Sequence, residues 1–321
     1  MVIAMKKIVI AKPFYAKNSP TGYRMLVEKG YEIVLNPHNR DYTQDEIIEV
    51  VGDIDGIIAD SEPWGEQTLS AAPKLKIISR YGVGMDSVDT QACQRHGVMV
   101  TNCPGLNSNA VAEQAVALLL SAIRKIPLLN AKTKSGQWPK ELFKEIDSHT
   151  VGILGFGGIG QKVAKKLGGF DCRIVAYDKF PDEGAARSLN VELLSFDQLL
   201  KQSDFISVHM PLLPETKHCI NAETIAKMQD GVIIVNTSRG PIVDEAAMAQ
   251  VVKSGKVLTF ATDVFEQEPP RKDLSLFELE GCICTPHSAA NTYENEERTG
   301  IATAQVLIDV FEGREPPNRR V

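Results

Sequence analysis

The stretch TVGILGFGGIG, from Thr150 to Gly160, constrains this chain more than any other. An apolar run enters a glycine-rich turn with the spacing G-x-G-x-x-G at Gly155, Gly157 and Gly160. The amphipathic segment QKVAKKLG leaves it, and Asp178 ends the following apolar run, RIVAYD. In a strand–turn–helix–strand context each element has a physical task. Gly155 permits the tight turn, Gly157 lets the backbone approach a pyrophosphate, and Gly160 lets helix and strand pack closely. The helix N-terminus offers free N–H groups to phosphate charge. Asp178 has the acceptors for a ribose diol and repels a 2′-phosphate, which favours NAD over NADP, although Lys179 beside it works the other way.

Around this motif the chain alternates short β-rich runs with helical stretches, the pattern of parallel sheets covered by helices. KIVIA, EIVLN, GIIA, LKIISR and VMVTN form a first series that ends near Cys103. TVGIL, RIVAYD, FISVHMP, GVIIVNTS, LTFATDVF and CICTPH form a second. The expectation is an α/β protein of two doubly wound parallel-sheet domains. One is a Rossmann domain over 104–289, and the other a flavodoxin-like substrate domain of residues 1–103 plus 290–321. Between them, PGLNSNAVAEQAVALLLSAIRKI reads as a helix capped by Asn107 or Ser108 and running to about Ile126. It is apolar almost all round from Ala115 to Ile123, so it is expected to be buried between domains or subunits. A final helix, NEERTGIATAQVLIDVFEG, is expected to return to the first domain.

Composition narrows the function classes. The 321 residues are 43% hydrophobic and 24% charged, with a net charge of −6 and no long basic run, which argues against a nucleic-acid partner. No apolar run approaches the roughly 18 residues of a membrane span. The N-terminal MVIAMKKIVIAK is too short in its apolar part for a signal peptide and reads as a first strand. The six cysteines form no C-x-x-C pair, so neither a zinc site nor a disulfide framework is expected, and the compartment is expected to be cytoplasmic. Cys282 and Cys284 read as small apolar strand residues.

Three more strand ends carry chemistry. VIIVNTSRG brings Arg239, TFATDVFEQEPP brings Asp263 and Glu268, and CICTPHSAA brings His287. In an open parallel sheet all of them lie at the carboxyl edge, with the glycine turn, where ligands bind. A histidine titrates near neutrality and suits proton exchange with an alcohol. A carboxylate beside it raises its pKa and orients the ring. An arginine binds a carboxylate or polarises a carbonyl with paired donors. Pro286 stiffens the exit from the strand, and the small Ser288 and Ala289 leave room beside the imidazole.

GFGGIG, VNTSRGPIVDE, DVFEQEPP and TPHSAANTYE resemble, in order, the signature segments of the D-isomer-specific 2-hydroxyacid dehydrogenases. SRYGVGMDSVD and TNCPGLNSNAVAEQ are similar to that family's first domain. The resemblance implies NAD as cofactor, a small 2-hydroxy or 2-keto acid as substrate, and catalysis by Arg239, Glu268 and His287. It implies substrate contacts from the backbone of Val83 and Gly84, and Arg80 is a candidate cation for the substrate. For the cofactor it implies Gly155, Gly157, Gly158, Ile159, Gly160, Asp178, His209, Met210, Pro211, Thr216, Thr237, Ser238, Asp263 and Ala289, with Asp263 on the nicotinamide amide. It further implies a homodimer formed through the NAD-binding domain, and no metal.

Within the family, PGLNSNAVAE and HMPLLPETKHCI look most like the short 3-phosphoglycerate dehydrogenases. The C-terminal regulatory domains of longer members have no counterpart up to Val321. Asp60-Ser61-Glu62 stands where many of those enzymes present an arginine to the substrate phosphate, and two acids there would repel it. A reductase of hydroxypyruvate, glyoxylate or another unphosphorylated acid is therefore the alternative. An NAD(H)-sensing corepressor-like protein is a reading of another class, against which the lack of an extended tail speaks.

Overall fold

In a computed structural model, which describes residues 5–321, the chain forms two compact units. One contains the chain up to Asn107 together with Asn291–Val321, and the other contains Ser108–Ala290. Met1–Ala4, part of the segment weighed above as a signal peptide, lie outside the described residues.

The first unit is built on β1 (Lys7–Ile10), β2 (Glu32–Leu35), β3 (Gly56–Ala59), β4 (Ile77–Arg80) and β5 (Met99–Thr101). All four pairings are parallel, in the order β2-β1-β3-β4-β5. The central strands are apolar on both faces because helices cover both, as parallel sheets require. The helix Tyr293–Phe311 supplies part of that cover, packing on Pro20–Glu28 and on β3 and β4. Its N-cap Thr292 accepts from the Asn295 N–H at 3.2 Å, and Glu294 and Glu296 in the first turn suit the helix dipole.

The second unit is built on β6 (Thr150–Leu154), β7 (Arg173–Tyr177), β8 (Glu192–Leu193), β9 (Phe205–Val208), β10 (Val232–Asn236), β11 (Val257–Thr262) and β12 (Cys282–Cys284). Again every pairing is parallel, in the order β12-β11-β10-β9-β6-β7-β8. The order reverses between β6 and β9, and the glycine turn follows β6 at that crevice. The first sheet reverses between β1 and β3.

One expectation is corrected. The apolar helix spans Ser108–Ile123 and ends short of Ile126, because Lys125 adopts a left-handed conformation (φ 47°) that starts a separate helix, Ile126–Lys134. Within its own unit, Ala112, Ala115, Leu119 and Ile123 of this helix share a core with Ile153, Phe156, Val163, Ile233 and Val235. Cys282 and Cys284 lie in β12 as expected, and Cys284 is exposed at this edge strand. Among the described residues no helix is long and apolar enough to cross a membrane.

Candidate active site

The glycine turn leads from β6 into the helix Gly158–Leu167. Gly155 has φ +94°, and a Cβ there would come within 2.6 Å of the His209 backbone at the end of β9. A Cβ on Gly160 would lie 2.1 Å from the Gly155 carbonyl oxygen, so the close packing of helix and turn demands glycine. Gly157, the N-cap, has open space around its Cβ position, and no side chain caps the helix. Among the described residues the N–H groups of Gly157, Gly158 and Ile159 meet no protein acceptor. An uncapped helix start facing open space fits the pyrophosphate of a dinucleotide.

Asp178 follows β7 beside this turn. Its Oδ2 accepts from the Phe156 N–H at 2.7 Å and its Oδ1 from the Phe180 N–H at 2.9 Å. The carboxylate is thus held in place with lone pairs to spare for ribose hydroxyls. Lys179 pairs with Glu215 at 3.1 Å, which draws its charge away from Asp178. The residues present fit NAD.

The end of β9 carries His209. Its Nε2 is 2.8 Å from Ser207 Oγ and its Nδ1 3.5 Å from Thr237 Oγ1, and burial pushes its pKa down to about 3. Burial thus favours the neutral form of this imidazole. Met210 joins the core, and Pro211 lies exposed at the start of the following loop. The Thr216 hydroxyl closes that loop by donating to the Pro211 carbonyl at 2.7 Å.

At the end of β10 the turn around Arg239 is organised by Asn236, a residue that motif reasoning passed over. Its fully buried side chain accepts from the Ser238 N–H at 3.0 Å and the Ser238 hydroxyl at 2.7 Å. It also donates to the Arg239 carbonyl at 3.0 Å. An asparagine closing an apolar strand immediately before a turn is the signal that identifies it. Gly240 lets this turn press against the next one, since a Cβ there would lie 1.9 Å from the Phe265 carbonyl carbon. The Arg239 Nη1 donates to the Ser238 carbonyl at 2.7 Å.

The loop after β11 carries Glu268. Its Oε1 accepts from the Phe265 N–H at 2.9 Å, and its Oε2 lies 2.6 Å from His287 Nδ1. The loop is also tied to Glu245, whose carboxylate accepts from the Glu266 N–H at 2.8 Å while the Glu245 N–H donates to Glu266 at 3.1 Å. Burial alone would raise the Glu268 pKa, but the hydrogen bond and charge of His287 outweigh it, helped by Phe265 and Arg239, and the net shift is downward. The hydrogen bond to Glu268 raises His287, against partial burial and the charge of Arg239. The two shifts agree in describing a charge-assisted pair.

His287 has φ 49°, a left-handed backbone that costs a residue other than glycine about 1–2 kcal/mol. Asp263 sustains it. Its carbonyl accepts the His287 N–H at 2.8 Å. Its carboxylate, with no solvent exposure, accepts from the Ser288 N–H at 2.9 Å, the Ala289 N–H at 2.8 Å and the Thr285 hydroxyl at 2.5 Å. Both of its oxygens are engaged by the turn that carries the histidine.

In the first unit the loop after β4 carries Gly82, Val83 and Gly84. Gly82 has φ +141°, and the Asn102 side chain donates to the Val83 carbonyl at 2.7 Å. The Val83 and Gly84 N–H groups meet no protein acceptor among the described residues, which leaves two adjacent donors for an anion. The two acids expected to face a ligand are otherwise disposed. Glu62 is only 1% exposed and points inward, accepting from the Asp60 N–H at 3.0 Å and from Trp64 Nε1 at 3.1 Å. Asp60 is paired with Lys12 at 3.2 Å and Arg80 at 3.4 Å. The expected joint repulsion by both acids is thereby corrected, because burial takes Glu62 out of play.

Residues 116–289 match the family model described as "D-isomer specific 2-hydroxyacid dehydrogenase, NAD binding domain". The chain belongs to this family. It is 37% identical over 310 residues to the D-3-phosphoglycerate dehydrogenase of Archaeoglobus fulgidus, covering 96% of this chain and 58% of that protein. It is 40% identical over 293 residues to the hydroxypyruvate reductase of Thermotoga maritima, covering 88% of this chain and 95% of that one. The D-lactate dehydrogenase of Aquifex aeolicus, solved with NAD and lactic acid, superposes with a TM-score of 0.85 at 28% identity over 96% of each chain. The chain spans about half the length of the curated phosphoglycerate dehydrogenases it matches. As in other family members, the nicotinamide cofactor belongs to the second unit.

Proposed function

We propose that this chain is an NAD-dependent oxidoreductase that interconverts a D-2-hydroxy acid and its 2-keto acid, with His287 as the acid–base, Glu268 as its orienting carboxylate and Arg239 as the substrate-binding cation. The observation that carries this reading is the 2.6 Å contact between His287 Nδ1 and Glu268 Oε2. With Nδ1–H donating to the carboxylate, Nε2 is the nitrogen left to hold or release a proton at the substrate's 2-oxygen. The hydride that the 2-carbon gains or loses is supplied or taken by the nicotinamide of bound NAD(H). During reduction the imidazolium gives its Nε2 proton to the oxygen of the new hydroxyl, and during oxidation the neutral ring takes it back.

The guanidinium of Arg239 suits the substrate carboxylate and the polarised 2-oxygen. Gly157, Gly158 and Ile159 would hold the pyrophosphate, and Asp178 the ribose. Asp263 would act as a positioning residue for His287. The assay is NADH oxidation with 3-phosphohydroxypyruvate, hydroxypyruvate, glyoxylate and pyruvate. Replacing His287 with alanine should abolish turnover while NADH binding, followed by fluorescence, persists. Full turnover in His287→Ala would refute the assignment, and NADH binding with no turnover of any acid would favour a cofactor-sensing protein instead.

The reading extends to a cytoplasmic homodimer formed through the NAD-binding unit. The exposed Ile126, Trp138 and Leu142 within its 126–142 segment support this. Light scattering at micromolar concentration tests it, with a monomer as the contrary result.

A further inference from the structure

Separate loops at the carboxyl edge of the seven-stranded sheet carry Arg239 and Glu268, and two glutamates tie those loops together. The chain after Arg239 enters the helix Glu245–Ser254, whose N-cap Asp244 accepts from the Ala247 N–H at 2.9 Å. That helix start is fixed from another side. The Asp244 N–H donates to the Ile220 carbonyl at 2.9 Å, and the Ile220 N–H to the Ile242 carbonyl at 3.1 Å. Glu245, the first residue of the helix, then reaches the loop of Glu268. Its Oε1 accepts from the Glu266 N–H at 2.8 Å, and its own N–H donates to Glu266 Oε1 at 3.1 Å. The bonds run in opposite directions between the same residues, so neither chain can slide past the other without breaking one.

The clasp lies inside the turn that aims Glu268, which accepts from the Phe265 N–H at 2.9 Å and meets His287 Nδ1 at 2.6 Å. His218 braces it from the loop before Ile220. Its Nε2 lies 3.1 Å from Glu266 Oε1, a contact of charge rather than an aligned hydrogen bond, and its N–H donates to the Pro241 carbonyl at 2.8 Å. Burial raises the Glu245 pKa against the hydrogen bond from Glu266, and the charges of Glu266 and Glu268 raise it further while His218 opposes them. Cys284 on β12 also faces this carboxylate, and burial followed by the charge of Glu245 pushes the thiol up to about 11. Like charges this close oppose the arrangement. The paired hydrogen bonds, not attraction, hold Glu245 against the loop.

We propose that Glu245 is a positioning residue for the acid–base pair. By clasping Glu266 it fixes the loop that sets Glu268 against His287, and the reach of its side chain, not its charge, does this. The inference rests on the proposed oxidoreductase activity and deepens it.

The test separates reach from charge with a pair of conservative variants. Glu245→Gln keeps an acceptor for the Glu266 N–H and removes the charge. Glu245→Asp keeps the charge but draws the acceptor back by one carbon–carbon bond, about 1.5 Å. Each is assayed against pH for NADH-dependent reduction of whichever of hydroxypyruvate, 3-phosphohydroxypyruvate, glyoxylate and pyruvate the wild type turns over fastest. Glu245→Asp should lose about tenfold or more in kcat, with NADH affinity by fluorescence unchanged. Its alkaline limb of kcat/KM should move to lower pH, because a loosened Glu268 supports the imidazolium less. Glu245→Gln should keep most of the wild-type rate and move the limb less. Wild-type kinetics in Glu245→Asp, or an equal or larger loss in Glu245→Gln, would overturn the proposal while leaving the oxidoreductase activity intact. A lowered thermal transition in Glu245→Asp with an unmoved limb would assign the residue to stability alone and overturn it too. No turnover of any 2-keto acid by wild-type protein that binds NADH would overturn the underlying activity instead.

Discussion

The main-chain N–H of His287 donates to the carbonyl of Asp263 at 2.8 Å, and the carboxylate of the same aspartate accepts from the two residues after the histidine. One buried residue thus grips the histidine turn from both sides. Asp263→Ala would leave the Ser288 and Ala289 N–H groups and the Thr285 hydroxyl short of an acceptor. Each such loss costs about 1–3 kcal/mol when buried. Urea unfolding should show a loss of about 2–4 kcal/mol, and a loss below about 0.5 kcal/mol would contradict the role. Asp263→Asn keeps one acceptor and should lose less.

The His287–Glu268 pair sets a pH dependence whose sign follows from the two shifts. His287 is raised above 6.5, so its contribution to stability is complete below 6.5 and is lost as pH rises through the raised value. Glu268 is lowered below 4.5, so its contribution is complete above 4.5 and is lost as pH falls through the lowered value. The pair is fully formed between those values. Keto-acid reduction needs the imidazolium, so Glu268→Gln should move the alkaline limb of kcat/KM for reduction to lower pH. A pH–rate profile with an unmoved limb would show that Glu268 does not tune the ring.

Gly240 sits where two turns touch through their backbones. A methyl group 1.9 Å from the Phe265 carbonyl carbon cannot be accommodated by a side-chain rotation. Gly240→Ala should therefore displace the turn of Arg239 relative to that of Glu268. A displacement near 1 Å can cost about 100-fold in rate. Steady-state kinetics should show that loss in kcat/KM with NADH affinity nearly unchanged, and wild-type kinetics would mean that the turns tolerate separation.

Glu62 supplies a test in the other unit. Burial raises its pKa from 4.5 to about 7, against the hydrogen bonds from Trp64 and Asp60. A raised carboxyl favours the folded state fully below 4.5, and that contribution is lost as pH rises toward 7. Glu62→Gln keeps an acceptor for Trp64 and removes the titration. Its melting temperature relative to the wild type should be higher at pH 8 than at pH 5. A difference independent of pH would contradict the shift.

Strand positions and sheet type were legible in the sequence because parallel strands covered on both faces leave uninterrupted apolar runs such as GIIA and VIIVN. The glycine turn was legible because its spacing answers to local demands, the positive φ of Gly155 and the close approach of Gly160 to the Gly155 carbonyl. The surroundings of the helix Ser108–Ile123 were not. An all-apolar helix announces burial, but nothing along it states which surface does the burying. Glu62 likewise reads as one more acid at a strand end until its neighbours Trp64 and the Asp60 N–H are seen to receive it.

The sequence by itself determined the two parallel sheets, the dinucleotide turn and the set of reactive residues at strand ends, because these follow from periodicity and from steric demands a few residues apart. Only the tertiary structure decided which carboxylate faces which cation. Glu268 meets His287, Asp263 holds the histidine turn, and Asp60 lies between Lys12 and Arg80. Such pairings join residues far apart in the chain, and a pKa or an ion pair depends on separations of a few ångströms that sequence spacing does not encode.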